Sequence, residues 1–421
     1  MIQYNGVNCK KGMRSMTTEY DIAIVGAGLV GSSLAAVLQQ RGFRIALLEK
    51  NLPSAKPTKV DKRPISLSYG SHVILKAIGI WDSIACFASP IKKVHVSDQG
   101  AMGAVHFNAT EMEVEALGYV VPFGELQKAL FHAATASDTV DLICSQHIDS
   151  ISVNKNNCCI SAHIDDKETT LNARLLIGCD GTRSHIRHLA HIETDEKDNG
   201  EVALSALITL ADSHQHTAYE RFTDKGAIAL LPLANETSMR VVWTMPNEQL
   251  DAIKQWGSSE LILYLTGCFI GRIPKITTVS QEGNYPLKTV LAKEQIKPGI
   301  ALLGNSAHTL YPLAAQGFNL GLRDVAAFCE VIVNAHKAND QLGSLDTLEK
   351  YMQWRQQDQR RITRLTQGLA KTFSVHMPFA QHARGLGLLA MDLIPPLKKR
   401  LAKRAMGIAG KLPRLARGLT L

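Results

Sequence analysis

The stretch that decides the fold reads Ile300-Ala-Leu-Leu-Gly304-Asn-Ser-Ala-His308-Thr-Leu-Tyr-Pro312-Leu-Ala-Ala-Gln316-Gly-Phe-Asn-Leu320-Gly-Leu-Arg-Asp324. A short apolar run stops at Gly304 and small, turn-forming residues follow; Phe318, Leu322, Val325, Cys329 and Ile332 then recur at helical spacing. The order is strand, loop, helix. Pro312 fixes its own φ and pushes Tyr311 toward extended backbone, while Gly317 lets the chain pass close to a flat ligand just before the helix. Unpaired N–H groups and the positive dipole end at that helix start stabilise negative charge on a reduced ring. Such a loop suits a flavin.

Working outward, residues 21–25 form an apolar strand that runs into Gly26-Ala27-Gly28-Leu29-Val30-Gly31 and a helix to about Arg41; a second strand over 44–48 ends at Glu49. The first glycine makes a tight turn, the second admits a pyrophosphate, and the third lets helix and strand pack closely. The acid accepts hydrogen bonds from ribose hydroxyls. Glycines alone are a weak signal; with strand, helix and acid in place they predict a dinucleotide site. A strand over 173–177 leads into Gly178-Cys179-Asp180-Gly181-Thr182-Arg183-Ser184-His185-Ile186-Arg187. Asp180 at that strand end can bond a ribityl or ribose hydroxyl, although standing alone it would read as a type I turn.

These three elements, in this order, resemble the fingerprints of the aromatic-hydroxylase family of flavin monooxygenases. The family's third fingerprint is Gly-Asp, a loop with Pro, then Gly-Gln-Gly-x-Asn. This chain has Gly304-Asn305, Pro312 and Ala315-Gln316-Gly317-Phe318-Asn319. Asn305 keeps a hydrogen-bonding group for the ribityl chain without the carboxylate, and Ala315 is expected to hold the loop farther from the ring. The resemblance covers the chain from Tyr20 onward. It implies non-covalent FAD, reduction by NADH or NADPH, transfer of oxygen from O2 to an electron-rich ring, and no metal. Carried over by position, the cofactor-binding residues are Gly26, Gly28, Gly31, Glu49, Arg63, Gln127, Asp180, Gly181, Gly304, Asn305, Pro312, Gly317 and Asn319.

The fold expected is α/β: a Rossmann-like FAD-binding domain (20–91, 111–200 and 286–345), an inserted antiparallel-sheet substrate domain (92–110 and 201–285) and C-terminal helices (346–421). Alternating runs at 203–210, 227–231 and 239–244 support the inserted sheet, which suits a wall over a pocket. Trp243 and Phe222 are candidates for that wall or for core. Within the family, Val94-His-Val-Ser-Asp-Gln-Gly100 and Tyr219-Glu-Arg-Phe-Thr-Asp-Lys-Gly-Ala-Ile-Ala-Leu-Leu-Pro232 look most like the hydroxylases of ubiquinone biosynthesis. This resemblance implies a polyprenyl phenol as substrate and other proteins of that pathway as partners. A flavin-binding scaffold subunit of a membrane-associated assembly fits the same residues. No catalytic acid or base stands out: His308, Tyr311 and His95 each read as readily structural as catalytic.

Composition bounds the remainder. The chain has 421 residues, room for one domain inserted in another, with 45% apolar and 20% charged residues, as in soluble globular proteins. Its eight cysteines include no C-x-x-C pair, so reduced thiols in the cytoplasm are expected. No run approaches the length of a bilayer span, and the first residues lack a secretion signal's apolar block. Residues before Thr17 carry no pattern and read as a disordered arm, or as preceding a start at Met16.

Lys398, Lys399, Arg400, Lys403, Arg404, Lys411, Arg414 and Arg417 account for the whole net charge of +8, since without them basic and acidic residues balance at 38 each. After Pro395-Pro396, Leu397, Leu401, Ala405 and Ile408 fall on one helical face with cations around the others. That helix is expected to lie on an anionic membrane surface, peripheral on its inner face. A solvated helix, or one docked on a partner protein, fits too. Nucleic acid does not, because no aromatic residues are interleaved.

Overall fold

The computed structural model describes residues 2–4, 7–9, 18–51, 63–101, 103–145, 147–154, 157–164, 167–311, 316–374 and 378–421. Its centre is the strand Thr18–Val25, where Ile22, Ala23 and Ile24 are wholly buried, as a parallel strand covered on both faces must be. Ile45–Glu49 and Lys167–Gly178 flank it in parallel, and Val140–Cys144 adds a further parallel strand beyond Ile45–Glu49. Lys167–Gly178 is long enough to pair twice along its outer edge. Its first part takes Cys158–Ile164 antiparallel, and its last three residues take Ile300–Leu302 in parallel. Helices Leu29–Leu38, Phe123–Ala134 and Gln316–Lys337 contribute to one continuous core against this sheet.

A second eight-stranded sheet runs in the order His308–Thr309, Ile276–Ala292, Thr194–Leu210, Ser238–Pro246, Gly226–Pro232, Thr217–Thr223, Lys93–Asp98, Ala104–Asn108. It differs from expectation in two ways. Thr217–Thr223 pairs with Lys93–Asp98 in parallel, so the sheet is mixed. Two helices, Asn247–Lys254 and Ser258–Cys268, interrupt the stretch expected as sheet and cover one face, where Leu261, Leu265 and Cys268 recur at helical spacing and are buried. The domain boundaries expected at 200/201 and 285/286 fall inside single strands, Thr194–Leu210 and Ile276–Ala292.

Residues 300–309 belong to both sheets. Ile300–Leu302 lies in the first, and six residues later His308–Thr309 closes the edge of the second against Val290 and Leu291. The loop between them is therefore fixed at both ends by backbone hydrogen bonds.

Helices Leu345–Ser374, Pro378–Leu393 and Pro395–Ala405 follow. The apolar face expected on the last is corrected. The residue turned inward is Ala402, followed by Met406 just beyond the helix; Leu397 and Ala405 are exposed, and Leu401 is half-buried. Gly407, at φ +73°, ends the helical path before Ile408. The segment beyond it straps back over the first domain: Leu415 and Ala416 are buried, Trp354 donates to Lys411 O at 2.8 Å, and Arg414 N–H donates to Glu330 at 2.6 Å.

Candidate active site

Three turns meet at the C-terminal ends of adjacent parallel strands, where ligands bind in open α/β sheets. Gly26 has φ +100°, and a side chain there would lie 2.6 Å from Cys179 O; at Gly31 it would lie 1.9 Å from Gly26 O. Cys179 N–H donates to Val25 O at 2.7 Å, and Leu303 N–H to Gly178 O at 3.0 Å. The third turn is tied to the second by side chains. Ser306 Oγ donates to Gly178 O at 2.5 Å, Arg187 donates to both Ser306 O and Thr182 O at 2.9 Å, and Thr309 bonds Thr182 at 2.9 Å. Arg187 is buried because it links two backbone segments rather than reaching solvent.

Around this framework some positions are open. A side chain at Gly28, Gly181 or Gly317 would meet nothing within 4 Å, and Asn305 is exposed. Gly28 precedes the helix Leu29–Leu38 with no side-chain cap, so the first N–H groups of that helix remain available to an anion. Glu49 stands beside the turn, accepting from Ala27 N–H at 2.7 Å and Asn51 N–H at 2.9 Å. These features fit a dinucleotide cofactor with a pyrophosphate.

Other residues read from sequence do different work. Asp180 caps the short helix His185–Leu189, accepting from Ser184 Oγ at 2.5 Å, His185 N–H at 2.6 Å and Ile186 N–H at 3.0 Å. Asn319 is 1% exposed and clamps the loop helix to a neighbouring segment. It accepts from Ser68 N–H and Ser71 Oγ and donates to Ser66 O, all within 2.9 Å. Arg63 stacks over the rings of Phe123 and Tyr285, linking the first domain to the second sheet. Gln127 is half-buried on Phe123–Ala134. Pro312 and Ala315 lie outside the described residues.

Beneath the loop is a buried ionic network that sequence reading missed. Asp324 is wholly buried and accepts from Arg355 Nε at 2.6 Å and Gln359 Nε2 at 3.1 Å, with His308 Nε2 2.7 Å away. Burial alone would raise its pKa; the Arg355 guanidinium, together with His308, overcomes this and holds it at about 2. His308 is thereby a structural tether of the loop.

The second sheet presents its uncovered face to the loop. Alternation puts Glu220 and Phe222 on this face, along with Val96, Ala227, Ala229, Val242, Thr244, Ala203 and Leu287 on neighbouring strands. Tyr311, leaving the loop, packs there with Ala203, Phe222, Ala227 and Leu287. Its hydroxyl pKa is pushed up by burial and by hydrogen bonding to Glu201. Glu220 is half-buried, and desolvation pushes its carboxyl up to about 7. Ser205 Oγ, on the same face, is buried without a hydrogen-bond partner among the described residues.

Of the three candidate acid–base residues, only Tyr311 reaches this face. His95 points the other way, 4.7 Å from the His106 ring, and burial with the neighbouring His106 lowers its pKa to about 4. Trp243 likewise faces away, stacked at 4.8 Å on Tyr264. Glu220 had one signal in the sequence: it lies in phase with Ala218 and Phe222, at a position where an alternating strand buries its residues.

Parallel sheet, three strand-end turns and a facing sheet make up the α/β fold of the flavin aromatic hydroxylases. The profile of the FAD-binding-domain family matches residues 19–366, and the chain belongs to that family. It is 30% identical to an uncharacterised Synechocystis protein, covering 96% of this chain and 97% of that one. It is 29% identical to the 3-demethoxyubiquinol 3-hydroxylase of Escherichia coli (92% and 98% covered) and 28% identical to the ubiquinone hydroxylase UbiL of Rhodospirillum rubrum (95% and 93%). In fold it is similar to p-nitrophenol 4-monooxygenase PnpA from Pseudomonas putida, with a TM-score of 0.75 at 16% identity, covering 94% of this chain and 100% of that one. It is also similar to the anhydrotetracycline hydroxylase OxyS from Streptomyces rimosus, with a TM-score of 0.67 at 18% identity (94% and 77% covered).

Proposed function

We propose that the protein hydroxylates the ring of a polyprenyl phenol, 2-octaprenyl-6-methoxyphenol, in ubiquinone biosynthesis, using NAD(P)H and O2. The observation that carries this reading is the near full-length similarity to ubiquinone-pathway hydroxylases. The sheet face supports it, since it sets an apolar cluster around Tyr311 with the Glu220 carboxylate on the same face. In this reading the sheet led by Thr194–Leu210 is the substrate-binding domain. The cofactor lies across Gly26–Gly31, Glu49, Gly181, Gly304, Asn305 and Gly317, with Arg63 and Gln127 at its margin and Asp180 and Asn319 shaping the turns.

Bound FAD supplies electron transfer from NAD(P)H and the activation of O2. The chain does the rest. Glu220 takes the phenol proton, making the ring electron-rich; Tyr311 keeps its own proton, donating it to Glu201 while accepting from Thr244, and so lines the pocket as a neutral hydroxyl. The sheet and loop exclude water from the reacting atoms. The test is the purified protein with NAD(P)H, a prenylated methoxyphenol and isotope-labelled O2. Label in the hydroxylated product is expected; a product carrying oxygen from water overturns the proposal.

A second reading, hydroxylation at another ring position, is favoured by the similarity to the Escherichia coli 3-demethoxyubiquinol 3-hydroxylase. Mass spectrometry of a deletion strain separates the two, because the precursor that accumulates identifies the missing ring oxygen.

A further inference from the structure

The helices Pro378–Leu393 and Pro395–Ala405 are seated on the outer edge of the substrate sheet. Asp392 accepts from His106 N–H at 3.0 Å on the edge strand Ala104–Asn108, and Lys398 bonds Asp392 at 3.3 Å and Glu111 at 3.0 Å. Gly103 passes so close to the first helix that a side chain there would lie 2.2 Å from Gly385 O. Met406 is buried beside Ala109 and Leu117. One side of this pair is thus fixed to the body of the protein.

The other side is not. Leu386, Leu389, Leu393, Ile394 and Leu397 form a stripe that crosses the junction between the helices, exposed by 66%, 39%, 69%, 47% and 45%. Lys399, Arg400, Lys403 and Arg404 follow on the second helix, all exposed and with no ion-pair partner among the described residues. No acidic residue occurs in the chain after Asp392. Five large aliphatic side chains held in water are costly unless something apolar covers them, and uncompensated cations beside them select an anionic surface. No described helix is long and apolar enough to cross a bilayer.

We propose that this helix pair is a docking face for an anionic phospholipid bilayer. The leucine stripe enters the acyl boundary and the four cations meet the headgroups. This sets the edge of the substrate sheet against the lipid, where a polyprenylated ring would leave the membrane. The docking rests on the exposed face and not on the proposed reaction, so either can fail alone.

The test is flotation of the full-length holoenzyme with vesicles of phosphatidylcholine plus phosphatidylglycerol, against phosphatidylcholine alone. Wild type is expected to float with the anionic vesicles, with binding falling about fivefold for each cation neutralised among Lys399→Gln, Arg400→Gln, Lys403→Gln and Arg404→Gln. Leu386→Glu/Leu393→Glu/Leu397→Glu is expected to abolish flotation while retaining bound FAD, an unchanged melting temperature and unchanged turnover of a water-soluble phenol, because these side chains are exposed. Equal flotation of wild type and both variant sets overturns the proposal, as does no flotation of wild type. So does a protein that co-purifies stoichiometrically with wild type and is released by the leucine variant in the absence of any vesicle binding.

Discussion

The two walls of the candidate site are made differently. On the cofactor side the shape comes from backbone: three turns at parallel strand ends, separated by well over a hundred residues, held by N–H to O=C bonds and by glycines without room for a methyl group. On the facing side it comes from side chains on strands whose mutual register decides which of them point inward. A change in the first wall should therefore act through fold and cofactor retention, and one in the second through chemistry with the fold intact.

The sharpest way to break this contrast is Gly31→Val. With a first side-chain carbon 1.9 Å from Gly26 O, the turn cannot close, and the protein should purify without flavin. Retention of FAD, read from its visible absorbance, would show that the turn yields.

Next is Arg355→Met, which strands Asp324 beneath the loop. Removing one partner of a buried ion pair costs about 3–5 kcal/mol, measurable by urea denaturation. Because Asp324 is held at about 2, its contribution to wild-type stability is present above the unfolded carboxyl value of about 3.9 and is lost as pH falls toward 2. The variant should lack that acid-side loss.

On the facing wall, Glu220→Gln should leave FAD binding and NAD(P)H-driven flavin reduction intact while lowering product formation about 100-fold. In wild type, product formation should rise with pH through about 7, as the carboxylate forms, and the variant should lose this dependence. Folding has the opposite sign. A raised carboxyl pKa makes the folded state lose stability as pH climbs from 4.5 to about 7, and the Gln variant should be level over that window.

The smallest effect tests the open part of the first wall. Gly28→Ala meets nothing within 4 Å, so apoprotein stability should hold while FAD affinity weakens about tenfold, or ~1.4 kcal/mol, by titration. A loss of stability here would mean that the open position is structural as well.

The C-terminal segment shows how far such reasoning reaches. Eight cations after Pro396 marked a basic tail, but the structure divides them. Residues 395–405 form a helix with an exposed face, while the chain beyond Gly407 straps over the first domain through Lys411, Arg414 and Leu415. Truncation at 395 would uncover buried surface, so exposed point substitutions are the cleaner probe of the membrane face.

Sequence by itself determined the strand and turn over 300–304, the glycine turn, the strand before Asp180 and the alternating runs of the second sheet. Each is a local pattern in which residue type dictates backbone geometry within a few positions. Tertiary structure alone decided that Asp180 caps a helix, that Asn319 clamps the segment around Ser68, and that His95 and Trp243 face away from the site. It also brought Glu220 beside Tyr311 and closed Asp324 under the loop with Arg355. These depend on strand register and on contacts across tens to hundreds of residues. A shift of one position in register would turn the whole set of side chains to the opposite face, and no local pattern encodes that choice.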